Sequence, residues 1–165
     1  MTTINFCPQC GAAISQAERF GQIRPVCLAC GYVHFHDPKV AAAVFIENSG
    51  RVLLVKRGVP PEQGRWALPA GFVDDREDPR ATAVREVREE TGLEVRVTRL
   101  LDVFHSERTT GASIIIVYAA EVVSGDVHPL DDVDAVAWFG PDDLPDLAFE
   151  STRRLVDAWI ARQTP

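Results

Sequence analysis

All four cysteines of this chain fall within its first thirty residues, as Cys7, Cys10, Cys27 and Cys30. They form two knuckles, CPQCG and CLACG, with sixteen residues between them. That spacing is the one expected of a four-thiolate zinc site. Gly11 and Gly31 close the knuckles and let the backbone turn tightly enough for its amides to approach sulfur. So short a segment has little core of its own, and metal ligation supplies its folding free energy. Two disulfides or a redox CxxC are the alternative, and both ask for an oxidising compartment or a redox partner. The N-terminus, MTTINFCPQC, has neither the basic start nor the apolar stretch of a secretory leader. Structural zinc is therefore predicted, with iron in the same site the lesser alternative, and the protein is expected in the cytoplasm. The chain reads as a small metal-stapled unit, residues 1–36, followed by one larger domain, residues 37–165.

Charge narrows the function. The formal net charge is −7 and the pI about 5.0, which argues against broad capture of nucleic acid, since neutralising phosphates needs clustered Lys and Arg. Residues 1–36 carry only Arg19 and Arg24 against Glu18, so a scaffolding or dimerising role is expected of that unit. An acidic chain can hold an anionic substrate only with help from a cation. The longest apolar runs, residues 40–46 and 114–120, are too short to span a bilayer.

The larger segment alternates strand and helix signals. Residues 40–47 and 51–57 read as strands joined by the hairpin turn Asn48-Ser49-Gly50. A loop rich in Gly and Pro follows at 58–64, then Trp66-Ala-Leu-Pro-Ala70-Gly71. Residues 79–91 read as a helix, with Asp78 as N-cap, Pro79 at its first position and Gly92 just past its end. Strands are expected over 95–104, 113–123 and 134–139. Ser151 is expected to cap an amphipathic final helix whose buried stripe is Leu155, Val156, Trp159 and Ile160. The class is mixed α and β, a sheet dressed by at least two helices.

The chemistry lies in the helix at 79–91. Glu86, Glu89 and Glu90 stand at i, i+3 and i+4, so their carboxylates share one face. Like charges at that spacing repel. Glu89 and Glu90 also occupy the last turn, where the helix dipole favours cations. Arg85 and Arg88 offer partial relief, and a solvated charged face is the plain alternative. Yet Arg85 precedes Glu89, the weaker order for an i,i+4 pair. A hard divalent cation, Mg²⁺ or Mn²⁺, would resolve the repulsion. Ala83, Val84 and Val87 form the opposite, apolar face, so the acids are expected to point outward from the core.

The segment GFVDDREDPRATAVREVREETGL, residues 71–93, resembles the Nudix box. The matching positions are Gly71, Glu77, Arg85, Glu86, Val87, Glu89, Glu90, Gly92 and Leu93. LLVKR and WALPAG before the box, and the acidic stretch from Asp132 to Trp138 followed by DDLP, are also similar to the family. The resemblance implies an αβα sandwich with a mixed sheet, preceded by a zinc ribbon, that hydrolyses a pyrophosphate linked to a nucleoside. It implies Glu86, Glu89 and Glu90 as Mg²⁺ or Mn²⁺ ligands, with the backbone carbonyl of Ala70 as a further one. Glu77 and Arg85 would organise the loop and orient the carboxylates. The general base in this family is either a box glutamate or an acid on a later loop. Here the later candidates are Glu107, Asp131 and Asp132, and Asp132 stands where relatives often carry a Glu.

Two groups of ribbon-bearing members are similar. NADH pyrophosphatases carry an SQPWP-like string beyond the box, which this chain lacks. Short ribbon proteins related to ADP-ribose and FAD pyrophosphatases carry an LAF-S pattern, matched by LAFES at 147–151. The resemblance thus implies a small-molecule nucleotide substrate, ADP-ribose, FAD or a related dinucleotide, cleaved to release AMP. Arg57, Phe72, Phe104 and Arg108 are candidates to contact it, with a core position the alternative for Phe72 and, more so, for Phe104. A sanitising hydrolase for oxidised nucleoside triphosphates is the alternative enzyme, because the box encodes phosphate chemistry and not the base. A non-catalytic nucleotide sensor is a third reading, against which the intact box argues. The four histidines show no ligand spacing, and a homodimer is expected by family analogy.

Overall fold

A computed structural model describes residues 4–106 and 112–163. The chain divides into two compact units, one ending at Pro38 and the other starting at Lys39.

The first unit is built on a hairpin of β1 (Ile14–Arg19) and β2 (Gln22–Cys27), antiparallel in full register. Isolated bridges, Phe6 to Ala13 and Val26 to Val33, lay the knuckle-bearing segments alongside it. Few side chains here are buried; Cys7, Val26 and Cys27 are the main ones. A core that small fits the expectation that the four sulfurs hold the unit together.

The second unit runs β3 (Val40–Asn48), β4 (Arg51–Arg57), β5 (Trp66–Ala67), β6 (Ala70–Phe72), α1 (Pro79–Thr91), β7 (Glu94–His105), β8 (Ile114–Ser124), β9 (Val133–Phe139) and α2 (Glu150–Gln163). Its seven strands join in the order β5-β4-β3-β8-β7, with β6 on β3 and β9 on β4. The parallel β3–β8 pair lies at the centre, and the neighbouring pairs are antiparallel, so the sheet is mixed. β3 is apolar almost throughout because both of its faces are covered. Ala42, Val44 and Ile46 join Ala83 and Val87 of α1 in one core. Ala43 and Phe45, one residue out of phase, join Val156 and Trp159 of α2 in the other. Period-two alternation on one strand thus builds both layers of an αβα sandwich.

β3 and β4 pair only beside their turn, Glu47 with Val52 and Asn48 with Arg51. Ser49 and Gly50 both have positive φ there, as a tight hairpin requires. Beyond it the strands part, and the stretch from Trp66 to Phe72, to which the sequence assigned no element, fills the gap. Residues 66–67 pair with β4 and residues 70–72 with β3, while the Val44 amide donates to the Pro69 carbonyl at 2.9 Å. The crossing strings Ala70, Gly71 and Phe72 along the edge of α1.

α1 has the predicted ends. The Asp78 carboxylate accepts from the Arg80 amide, and Gly92 is left-handed with φ 74. α2 starts at Glu150, two residues earlier than a Ser151 cap would set, so Ser151 lies in its first turn and is not its cap. Among the described residues no helix is long and apolar enough to cross a membrane.

Candidate functional site

The three glutamates of α1 do not share one environment. Glu90 is buried at 5% exposure, whereas the Glu86 and Glu89 side chains are 12% and 41% exposed. The expectation that all three point outward is therefore corrected for Glu90. It turns inward because β6 crosses beside it, and its carboxylate accepts the Ala70 amide at 3.0 Å. Burial drives the Glu90 pKa well up, more than the Ala70 hydrogen bond lowers it, and the charges of Glu86 and Asp132 add to the rise. Arg57 opposes them. Burial likewise raises Glu86, against the pull of Arg85.

Arg85 binds the charged cluster together. Its Nε and Nη2 donate to the two oxygens of Glu77, each at 2.9 Å. Its Nη1 reaches Glu86 at 2.7 Å and Glu89 at 2.9 Å, and Nη2 also donates to the Phe72 carbonyl at 3.2 Å. The planar fork satisfies carboxylates from a loop and from the helix at once. Held chiefly by Arg85, and next by Thr82, Glu77 drops to a pKa of about 2. Glu77 in turn accepts the Asp74 amide at 3.3 Å, fixing the loop that joins β6 to α1.

Gly71 has a steric reason. A Cβ built on it would overlap the Glu86 carboxylate, so only glycine lets that carboxylate lie against the β6 backbone.

Of the other predicted residues, Asp132 lies close enough for its charge to act on Glu90, and its carbonyl accepts the Gly58 amide at 2.9 Å. Asp131 beside it takes a positive φ of 52. Arg57 also acts on Glu90, but its own Nε donates to the Pro61 carbonyl at 2.7 Å and its guanidinium lies 5.1 Å over the Phe149 ring. Phe72 is half exposed, with the Lys39 ammonium 5.2 Å above it. Lys39 escapes the sequence reading, since a single lysine in a connector carries no signal. Phe104 is a core residue, packed with Trp159 and Leu147. Glu107 and Arg108 lie outside the described residues.

The donor set of Glu86, Glu89, Glu90 and the nearby backbone is all oxygen and carries more negative charge than Arg85 offsets. It fits Mg²⁺, which keeps several waters and needs few protein ligands. The cysteines fit zinc. Their sulfurs lie within 4.8 Å of one another, and among the described residues no other group of three His, Cys, Asp or Glu gathers its ligand atoms so closely. Cys7–Cys30 and Cys10–Cys27 stand 3.6 and 3.5 Å apart; a tetrahedron with Zn–S near 2.3 Å wants about 3.8 Å. Gly11 and Gly31 amides donate to the Cys7 and Cys27 carbonyls at 2.9 Å each, closing the knuckles. The Cys30 amide holds the Cys27 thiol down at about 7, whereas against the pull of the Tyr32 amide the neighbouring Cys10 sulfur pushes Cys30 up to about 12.

A family model described as the NUDIX domain matches residues 37–160. The chain is 38% identical over 128 residues to an ADP-ribose pyrophosphatase of Methanocaldococcus jannaschii, covering 76% of this chain and 74% of that one. It is 32% identical over 164 residues to the NAD-capped RNA hydrolase NudC of Pseudomonas aeruginosa, covering 96% of this chain but only 56% of that protein. The crystal structure of a NUDIX hydrolase from Nitrosomonas europaea matches with a TM-score of 0.86 at 30% identity, covering 97% of this chain and 93% of that one. A shared domain model, a relative well above 30% identity and a common architecture agree: the chain belongs to the Nudix hydrolase family.

Proposed function

We propose that the protein hydrolyses the pyrophosphate bond of a nucleoside-diphosphate-linked compound with Mg²⁺, ADP-ribose first among substrates, and releases AMP. The observation that carries this reading is the pairing of a buried Glu90 with Glu86 beside the β6 backbone, around an Arg85 that ties Glu77 to the helix. Glu86, Glu89, Glu90 and the Ala70 carbonyl would hold the metal. Bound there, Mg²⁺ would neutralise the phosphates and lower the pKa of an attacking water.

The protein's own part is positioning and charge. Arg85 and Glu77 fix the two more exposed carboxylates, and β6 fixes Glu90, so the helix face is preorganised for a cation. Asp132, whose charge acts on Glu90, is the later-loop acid we assign to accept a proton from water. Phe72 and Lys39 offer an aromatic face and a cation for a base and a phosphate. ADP-ribose is preferred because the relative of that name is 38% identical over 128 residues. A second reading rests on the match to NAD-capped RNA hydrolases, which covers 96% of this chain, the cysteine-bearing unit included, and 56% of the relative. The chain lacks the SQPWP-like string of the related NADH pyrophosphatases, so this reading ranks second.

The deciding experiment incubates purified protein and Mg²⁺ with ADP-ribose, FAD, NADH and 8-oxo-dGTP, each beside Glu90→Gln. AMP from ADP-ribose, abolished in the variant, supports the proposal. Turnover of the triphosphate alone, or nucleotide binding without turnover, overturns it.

A further inference from the structure

The loop between β8 and β9 is bonded to the helix end that carries the site. The last carbonyls of a helix have no partner within it. In α1, the Thr91 carbonyl accepts the His128 amide at 3.1 Å and the Glu90 carbonyl accepts the Leu130 amide at 3.2 Å. Glu90 is thus held at both ends, its carboxylate by the Ala70 amide and its main chain by Leu130.

The side chain of His128 completes the attachment. A Cβ on Gly92 would overlap the imidazole, so the ring lies directly on the Cα of the helix cap. Its Nδ1 sits 2.7 Å from the Asp126 carbonyl. A carbonyl only accepts, so Nδ1 carries the hydrogen, and that bond sets the ring's orientation. A Cβ on Gly125, at φ +101, would in turn crowd the Gly92 carbonyl. Two glycines, one on each side, permit this close approach.

Two residues past Leu130 the chain reaches Asp132. Its carbonyl takes the Gly58 amide at the end of β4, and Gly58 has no room for a Cβ there. Between the helix cap and β4, Asp132 has little freedom.

We infer that His128 is a positioning residue: by clamping the 125–132 loop onto Gly92 at the end of α1, it places Asp132 beside Glu90. This rests on the proposed hydrolysis only for the role of Asp132. The clamp itself is a statement about the loop.

The test has two arms. Amide hydrogen exchange of the whole protein is followed at Leu130 and Gly58 in wild type, His128→Ala and His128→Asn. The clamp predicts exchange at both amides faster by about tenfold or more in His128→Ala, with partial recovery in His128→Asn, whose amide can donate to Asp126. In parallel, kcat and KM for ADP-ribose are measured for His128→Ala, Asp132→Ala and the double variant. His128→Ala should lower kcat with little change in KM, and should add almost nothing once Asp132 is gone. Unchanged exchange at Leu130 and Gly58 overturns the clamp. Losses that multiply in the double variant overturn the link to Asp132. Should wild type turn over none of the compounds, the proposed function falls, and the exchange arm alone upholds or overturns the clamp.

Discussion

The Glu86 carboxylate occupies the space that a side chain on Gly71 would need. The strand that crosses the gap between β3 and β4 and the helix that carries the acids therefore meet at a point where only a hydrogen fits. Gly71→Ala should push Glu86 off its position while leaving both cores untouched. A shift of about 1 Å at a catalytic group costs on the order of 100-fold in rate, so kcat for ADP-ribose should fall by about that factor with little loss of Tm. Wild-type kcat in the variant would show that Glu86 does not act where the structure places it.

Arg85 should be irreplaceable by lysine. A point ammonium cannot reach both Glu77 oxygens along with Glu86, Glu89 and the Phe72 carbonyl. Arg85→Lys and Arg85→Met should both reduce stability at pH 7. Glu77 has a folded pKa of about 2 against 4.5 when free. Its contribution is therefore present above 4.5 and lost as pH falls toward 2. Urea midpoints at pH 7, 4 and 3 should show a shallower acid loss in Arg85→Met than in wild type; parallel curves would disprove the pairing.

Glu90 has the opposite sign. Burial raises its folded pKa, as it does that of Glu86. A raised carboxylate favours the folded state below its free pKa, and that advantage is lost as pH climbs through the folded value. Without divalent metal, Tm should fall as pH rises from 5 to 8, and Glu90→Gln should flatten the slope. Mg²⁺ should raise Tm more at pH 8 than at pH 5, since it competes with protons for the same oxygens. Equal Mg²⁺ shifts at both pH values, measured by thermal melting, would place the ion elsewhere.

One zinc per chain is expected by elemental analysis, lost in Cys10→Ser. Structural zinc contributes roughly 10–16 kcal/mol of binding free energy in small domains, and the first unit has few other buried side chains. Its hairpin amides should lose their dispersed NMR signals on chelation. A metal-free first unit that keeps them would overturn the zinc assignment.

Much of this was written locally. The two CxxCG knuckles, the Asp78–Pro79 start and Gly92 stop of α1, and the one-residue phase shift along β3 are all short-range patterns, and each specifies its element by steric or periodic necessity. The glutamate spacing put three acids on one helical face for the same reason. What the spacing could not decide is which acid is buried. That depends on β6 crossing beside Glu90, and β6 forms only because β3 and β4 part beyond their turn. The stretch at 66–72 has too few residues in either pairing to show a strand period of its own. His128 and Leu130 lie nearly forty residues beyond α1 in sequence and join it through backbone bonds to helix carbonyls, while Asp132 just after them bonds to Gly58 instead. Such bonds use groups that every residue carries, so no side-chain pattern announces them. The sequence determined the pieces and their chemistry; tertiary packing decided which carboxylate leaves water and which loop stands beside it.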